Sequence, residues 1–167
     1  MVIEKHDYHA ADQACRKMQG PFNQAYEPLG DLLIDFDHGE TATAYQRSLD
    51  LDSAIAVVTY TAKGKRFTRE TFASAPDQVV VVRLRVSGHG ALNCTLRLKS
   101  QLQSSVEAKD RSIVLSGNAP DNSVPNYLRS EHPVTYSDEP GKGMYFAAVL
   151  TVIARGGRVE ARSDGAL

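Results

Sequence analysis

Strict two-residue alternation between positions 80 and 98 constrains this chain more than any other feature. Val80, Val82, Leu84 and Val86 fall on one side of an extended segment, and Leu92, Cys94, Leu96 and Leu98 on one side of the next. The opposite sides carry Arg83, Arg85, Asn93, Thr95, Arg97 and Lys99. Successive side chains of a strand point to opposite faces, so this pattern demands antiparallel sheet with one dry and one wet face. Gly88-His89-Gly90 lies between the two segments and reads as a turn. The expectation is a hairpin pairing 78–87 with 91–100, with Val80, Val82, Leu84, Leu92, Leu96 and Leu98 buried.

The same period recurs elsewhere. Leu32, Ile34 and Phe36 share one face of a segment whose other face carries Asp31, Asp35 and Asp37. The stretches 54–61 and 66–73 flank Lys63-Gly64, a turn signal, and predict a second hairpin. A strand is expected over 112–116, followed by a long loop with Pro120, Asn122, Pro125 and Pro133 that shows no periodicity to about Lys142. Loops of that length inside compact domains carry function or motion. Residues 145–153 are apolar on both faces and predict a central strand covered on both sides. Only one segment reads as a helix, about 7–19, where Tyr8, Ala11, Cys15 and Met18 fall at helical spacing behind Asp7 as N-cap. Gly20-Pro21 ends it. Many strands and one short helix predict a mainly β, two-layer antiparallel sandwich over about 25–162.

Composition narrows the partners. At 167 residues and 42% apolar content the chain suits a single domain with one core. Nineteen basic against twenty acidic residues, net −1, provide no field to attract nucleic acid or an anionic membrane. No apolar stretch approaches the roughly 20 residues that span a bilayer. The two cysteines, Cys15 and Cys94, have no metal-ligand or CxxC spacing and read as small buried hydrophobes. Residues 156–165 read as a strand and a turn without a return strand, which predicts truncation at the C-terminus and an open strand edge for self-association.

Candidate site residues are few. Asp35 and Asp37, two apart on a strand, would sit about 6.7 Å from each other, near the separation of an inverting glycosidase pair. They would project in parallel from one face, however, and not from opposite sides of a substrate, so a solvated face is the reading adopted. His38, Gly39 and Glu40 read as turn residues, and His6 and His9 as a helix surface without a third metal ligand. Arg83, Arg85, Arg97 and Lys99 form a row without interleaved aromatics, hence a solvated face. Asn126-Tyr127 in the long loop pairs an amide with an aromatic ring, the chemistry of sugar recognition. No catalytic residue, metal site or cofactor site is predicted.

Three runs carry a family resemblance: Gln24-Ala25-Tyr26-Glu27-Pro28-Leu29-Gly30-Asp31-Leu32, Tyr45-Gln46-Arg47-Ser48-Leu49-Asp50-Leu51 and Phe67-Thr68-Arg69-Glu70. With Pro125-Asn126-Tyr127 and Gly141-Lys142-Gly143-Met144 they cover nearly the whole chain from about Ile3. The chain resembles the N-terminal β-super-sandwich, a mutarotase-like fold, of the α-L-fucosidases of glycoside hydrolase family 95. The resemblance implies a non-catalytic accessory domain that packs on a helical α/α barrel, the barrel holding the groups for inverting hydrolysis of fucosyl linkages. It implies that barrel as partner and a fucosylated glycan as ligand. The alternatives from other classes are a stand-alone glycan-binding module, disfavoured by 7% aromatics and no Trp, and an interaction domain dimerising through a strand edge.

Overall fold

The computed structural model describes residues 4, 6–20, 23–88, 92–162 and 164–167. One helix, α1 (Tyr8–Met18), opens the order. There follow β1 (Asp31–Phe36), β2 (Thr43–Asp50), β3 (Ile55–Ala62), β4 (Lys65–Ser74), β5 (Val79–Val86) and β6 (Cys94–Lys99). The order closes with β7 (Gln103–Lys109), β8 (Ser112–Asn118), β9 (Asn122–Ser123), β10 (Val134–Thr135) and β11 (Tyr145–Thr151). The expected fold class, mainly β with a single short helix, is the one observed. The chain divides into two compact units, one of residues 1–30, 100–105 and 116–148, the other of 31–99, 106–115 and 149–167.

In the second unit β2, β3, β4 and β5 form an antiparallel sheet in chain order. Tight turns set its register. Lys63 and Gly64 both have positive φ, 48° and 72°, which a two-residue type I′ hairpin requires, and the expected β3–β4 hairpin follows. Between β2 and β3, Asp50 accepts from the Asp52 N–H at 3.0 Å and the Ser53 hydroxyl at 2.7 Å. These bonds, the Ser53 hydroxyl first, hold its carboxyl below the usual range.

The expected pairing of 78–87 with 91–100 is not formed. β5 pairs with β4, Leu84 opposite Arg69, through a turn over 75–78. β6 pairs instead with β1, Leu98 opposite Leu32 and Leu96 opposite Ile34. The alternation predicted both strands correctly but carried no information on their partners. Gly88 has φ +80°, while His89 and Gly90 of the expected turn lie outside the described residues. The β1–β6 sheet stacks on the four-stranded sheet, with Phe36 meeting Phe67 edge-on at 6.2 Å between ring centroids. Two strands at about 4.8 Å spacing cover only about half the width of four. Accordingly Val82, Leu84, Leu92, Leu96 and Leu98 are half-buried and Val80 is 72% exposed, against the expectation that all six are buried.

β7, β8 and β11 form a third sheet, in the order β11-β8-β7. Residues 145–153 therefore hold an edge, not the expected centre, and Tyr145, Val149 and Ile153 are exposed. β2 and β7 had no clean apolar period and were not predicted as strands. The buried apolar side chains, Ala62, Phe67, Ile113, Leu115, Ala166 and Leu167, all belong to the second unit. The strand expected within 156–165 is not formed among the described residues, although Gly165 N–H donates to the Arg162 carbonyl. A short return is present, against the expectation that there is none: Leu167 and Leu96 exchange both backbone hydrogen bonds, at 2.8 and 3.1 Å, on the edge of β6.

In the first unit α1 begins as predicted, Asp7 accepting from the Ala10 N–H at 3.0 Å. Its apolar stripe is not buried. Tyr8 is 70% and Met18 80% exposed, and Cys15 is exposed, so the buried-hydrophobe reading of Cys15 is corrected. Cys94 is half-buried, and both cysteines are free thiols.

Candidate functional site

The first unit positions its candidate site with backbone bonds inside the long loop. β9 and β10 pair, Val124 N–H donates to the Pro133 carbonyl at 2.7 Å, and Asp121 N–H to the Thr135 carbonyl at 3.0 Å. Within this clamp the Leu128 N–H donates to the Pro125 carbonyl at 2.9 Å, closing a turn whose two central residues are Asn126 and Tyr127. Both are exposed, Tyr127 at 69%.

A second segment, 24–27, is pinned to β9. Ala25 N–H donates to the Ser123 carbonyl at 2.8 Å, the Gln24 amide oxygen accepts from Ser123 N–H, and its nitrogen donates to the Asn122 side chain at 3.3 Å. Ser123, the buried polar side chain of this unit, donates its hydroxyl to the Glu27 carboxylate. Burying a hydroxyl is costly unless it is bonded, so Glu27 acts here as a structural acceptor. Held between these anchors, Tyr26 is 97% exposed. Tyr26 falls within the motif run 24–32, and nothing in that run distinguishes an exposed tyrosine from a buried one. The two segments offer phenols, a ring face and an amide, groups that hydrogen-bond hydroxyls and stack on the apolar face of a sugar.

The acidic candidates lie in the second unit. Asp35 is on the outer face of β1 and accepts from Arg97 at 2.6 Å; Asp37 accepts from the Asn93 amide at 2.9 Å. The two do not face each other across a cavity. His38 is more than the turn residue expected. Its ring stacks on Phe36 at 5.2 Å and tilts on Phe67 at 4.6 Å, Nδ1 lies 2.8 Å from the Gly39 carbonyl, and Nε2 lies 2.7 Å from the Tyr60 hydroxyl. A carbonyl can only accept, so Nδ1 carries a proton, and in the neutral ring Tyr60 then donates to Nε2. His6 and His9 bond to Tyr8 and Gln13. Among the described residues no three metal-ligating side chains converge. The supposed basic row is split between sheets, Arg83 and Arg85 pairing with Glu70 at 3.0 and 3.6 Å on one and Arg97 with Asp35 on the other.

Between the two stacked sheets lies a cavity of about 240 Å³, lined by Phe36, Tyr45, Tyr60, Phe67, Leu84 and Arg69 among others. Neither Asp35 nor Asp37 lines it. Burial pushes the Tyr60 phenol above its ordinary range, an effect the nearby Arg69 charge opposes.

Antiparallel sheets with one short helix define a mainly β domain of the sandwich class, and the comparisons give the particular family. Over residues 1–167 the chain matches the family described as glycosyl hydrolase family 65, N-terminal domain, and it belongs to that family. It is 31% identical over 165 residues to α-L-fucosidase 2 of Arabidopsis thaliana, a match covering 95% of this chain and 20% of that protein. It is 32% identical over 139 residues to probable α-fucosidase A of Aspergillus niger, covering 81% of this chain and 15% of that one. The chain thus spans a fifth or less of the length of the curated relatives it matches.

Proposed function

We propose that this chain is a non-catalytic accessory domain of an α-L-fucosidase-like hydrolase of the family 95 type, working against a helical catalytic barrel. The observation that carries the reading is the state of its carboxylates. Inverting hydrolysis needs two carboxyl groups across a scissile bond, with room for a water. Here Asp35 is tied to Arg97, Asp37 to Asn93 and Glu27 to the buried Ser123. These bonds support a catalytic pair supplied from elsewhere in the enzyme. Asn126 and Tyr127, with Tyr26, are assigned the role of contacting a fucosylated glycan at the rim of the parent's cleft. On β11 the exposed Tyr145 and Val149 share one face of the strand, and exposed apolar surface of this kind supports a docked neighbour.

The test is an assay of the purified chain on an aryl α-L-fucoside and on fucosylated oligosaccharides, with binding followed in parallel. The expected result is no turnover, together with weak saturable binding that Asn126→Ala or Tyr127→Ala removes. Turnover lost on Asp35→Asn or Asp37→Asn would overturn the accessory reading. Binding unchanged in both loop variants would overturn the role given to the loop.

A further inference from the structure

We infer that the cavity between the two stacked sheets of the second unit is a binding site for a small carboxylate with an apolar, ring-bearing body, held by Arg69. Cross-strand partners share a face, so the register defines which side chains look into the sandwich. Arg47 is opposite Val58, Val58 opposite Arg69, and Arg69 opposite Leu84; one step along, Tyr60 is opposite Phe67 and Phe67 opposite Val86. This face of the four-stranded sheet carries Lys65, Arg47 and Arg69 but no Asp or Glu. The facing side of the β1–β6 sheet, Leu32, Ile34, Phe36, Cys94, Leu96 and Leu98, carries no acid either.

Arg69 is half-buried and lines the cavity, and its guanidinium makes no hydrogen bond or ion pair among the described residues. On the outer faces Arg83 and Arg85 share Glu70 and Arg97 holds Asp35, whereas Arg69 stands on the inner face, where the paired strands place no acid beside it. A half-buried guanidinium with apolar neighbours gains most from an anion that brings its own apolar surface. It presents a planar fork that accepts a carboxylate bidentately.

The walls decide the body of the ligand. Phe36, Phe67, Leu84 and Val58 contribute rings and aliphatic carbons; of the hydroxyls on the wall, that of Tyr60 is committed to His38, which leaves those of Tyr45 and Thr68. A sugar acid would leave most of its hydroxyls without partners here, at a desolvation cost, whereas a phenyl ring would lose nothing. A volume of about 240 Å³ lies below the roughly 300 Å³ at which sites for drug-sized ligands begin, which suits one ring and not two. This site is lined by residues of the second unit alone and does not depend on the role given to the loops.

The experiment titrates the whole chain with benzoate, benzyl alcohol and glucuronate, by calorimetry and by amide NMR. Benzoate is expected to bind saturably, shifting resonances of Tyr60, Phe67 and Leu84, and to bind at least roughly tenfold more tightly than benzyl alcohol, because a charge-assisted bidentate pair is lost in the alcohol. Arg69→Gln should bring benzoate down to the level of benzyl alcohol, and Arg69→Lys should restore part of the difference. Benzyl alcohol or glucuronate binding as tightly as benzoate would overturn the proposal, as would shifts confined to other residues or no saturation in the millimolar range. Should Arg69→Gln fail to fold, the comparison of benzoate with benzyl alcohol on the unaltered chain decides the matter.

Discussion

Cys15 and Cys94 are chemically identical in the sequence and differ only in where the fold leaves them. Cys15 is exposed on α1, whereas Cys94 is half-buried on the inner face of β6. Burial pushes the Cys94 thiol up, and the carboxylate of Asp37 adds to the shift, since both disfavour the thiolate. The thiolate is the nucleophile, so reactivity follows its population. At neutral pH iodoacetamide should modify Cys15 first, with Cys94 lagging until the pH rises above the ordinary thiol range. Peptide mass spectrometry across a pH series would read this. Equal rates at neutral pH would mean that Cys94 is not shielded by β1. The same logic separates Tyr26 from Tyr60: one letter, but the first is a free-standing exposed ring and the second a hydrogen-bond donor to a stacked histidine.

At the scale of elements, close approach of neighbouring strands decides which positions tolerate a side chain. Gly117, near the end of β8, has a φ that any residue could adopt, yet a Cβ there would fall on the Gln103 carbonyl, 2.6 Å from the Phe146 ring and 2.9 Å from Ser104 Cβ. The Phe146 ring therefore crosses the strand where Gly117 leaves it room. Gly117→Ala is expected to destabilise by about 1–3 kcal/mol, the usual result of overpacking, seen as a lower urea midpoint with an unchanged m-value. Gly20→Ala meets nothing within 4 Å and is the control. The β3–β4 hairpin was legible in advance because Lys63-Gly64 is a local signal that sets both the turn and the register. The partner of β5 was not. Its identity depends on the 75–78 turn and on a crossover from one sheet to the other, and alternation is silent on both.

For the whole molecule, the balance of buried and exposed apolar side chains is the unusual quantity. Ile113 and Leu115 are fully buried, but the large apolar side chains of β11 and α1 are mostly exposed. Stability should then be concentrated in few positions. Leu115→Ala is expected to cost about 2–5 kcal/mol, in the range for truncating a closed core site. Val80→Ala, at a position 72% exposed, should change stability by no more than about 0.5 kcal/mol. Urea titrations of both variants would check the contrast. Comparable losses at the two positions would mean that the interior extends as far as Val80, as the alternation alone had suggested.

What the sequence determined by itself is the part written in local pattern. Period-two stretches named β1, β3, β4, β5 and β6, the Asp7 cap and helical spacing named α1, and the motif runs pointed to the glycosyl hydrolase N-terminal domains. Those signals arise from each residue's own backbone preference and from which side of a strand it occupies. Tertiary structure decided the partner of each strand, the exposure of the apolar stripe on α1, the edge position of β11 and the pairing of Leu167 with Leu96. It also drew His38 into an aromatic stack and left Arg69 lining a cavity, with no counter-ion among the described residues. These outcomes depend on contacts between segments distant in the chain, and a pattern that repeats every two residues is satisfied equally well by any partner of matching face.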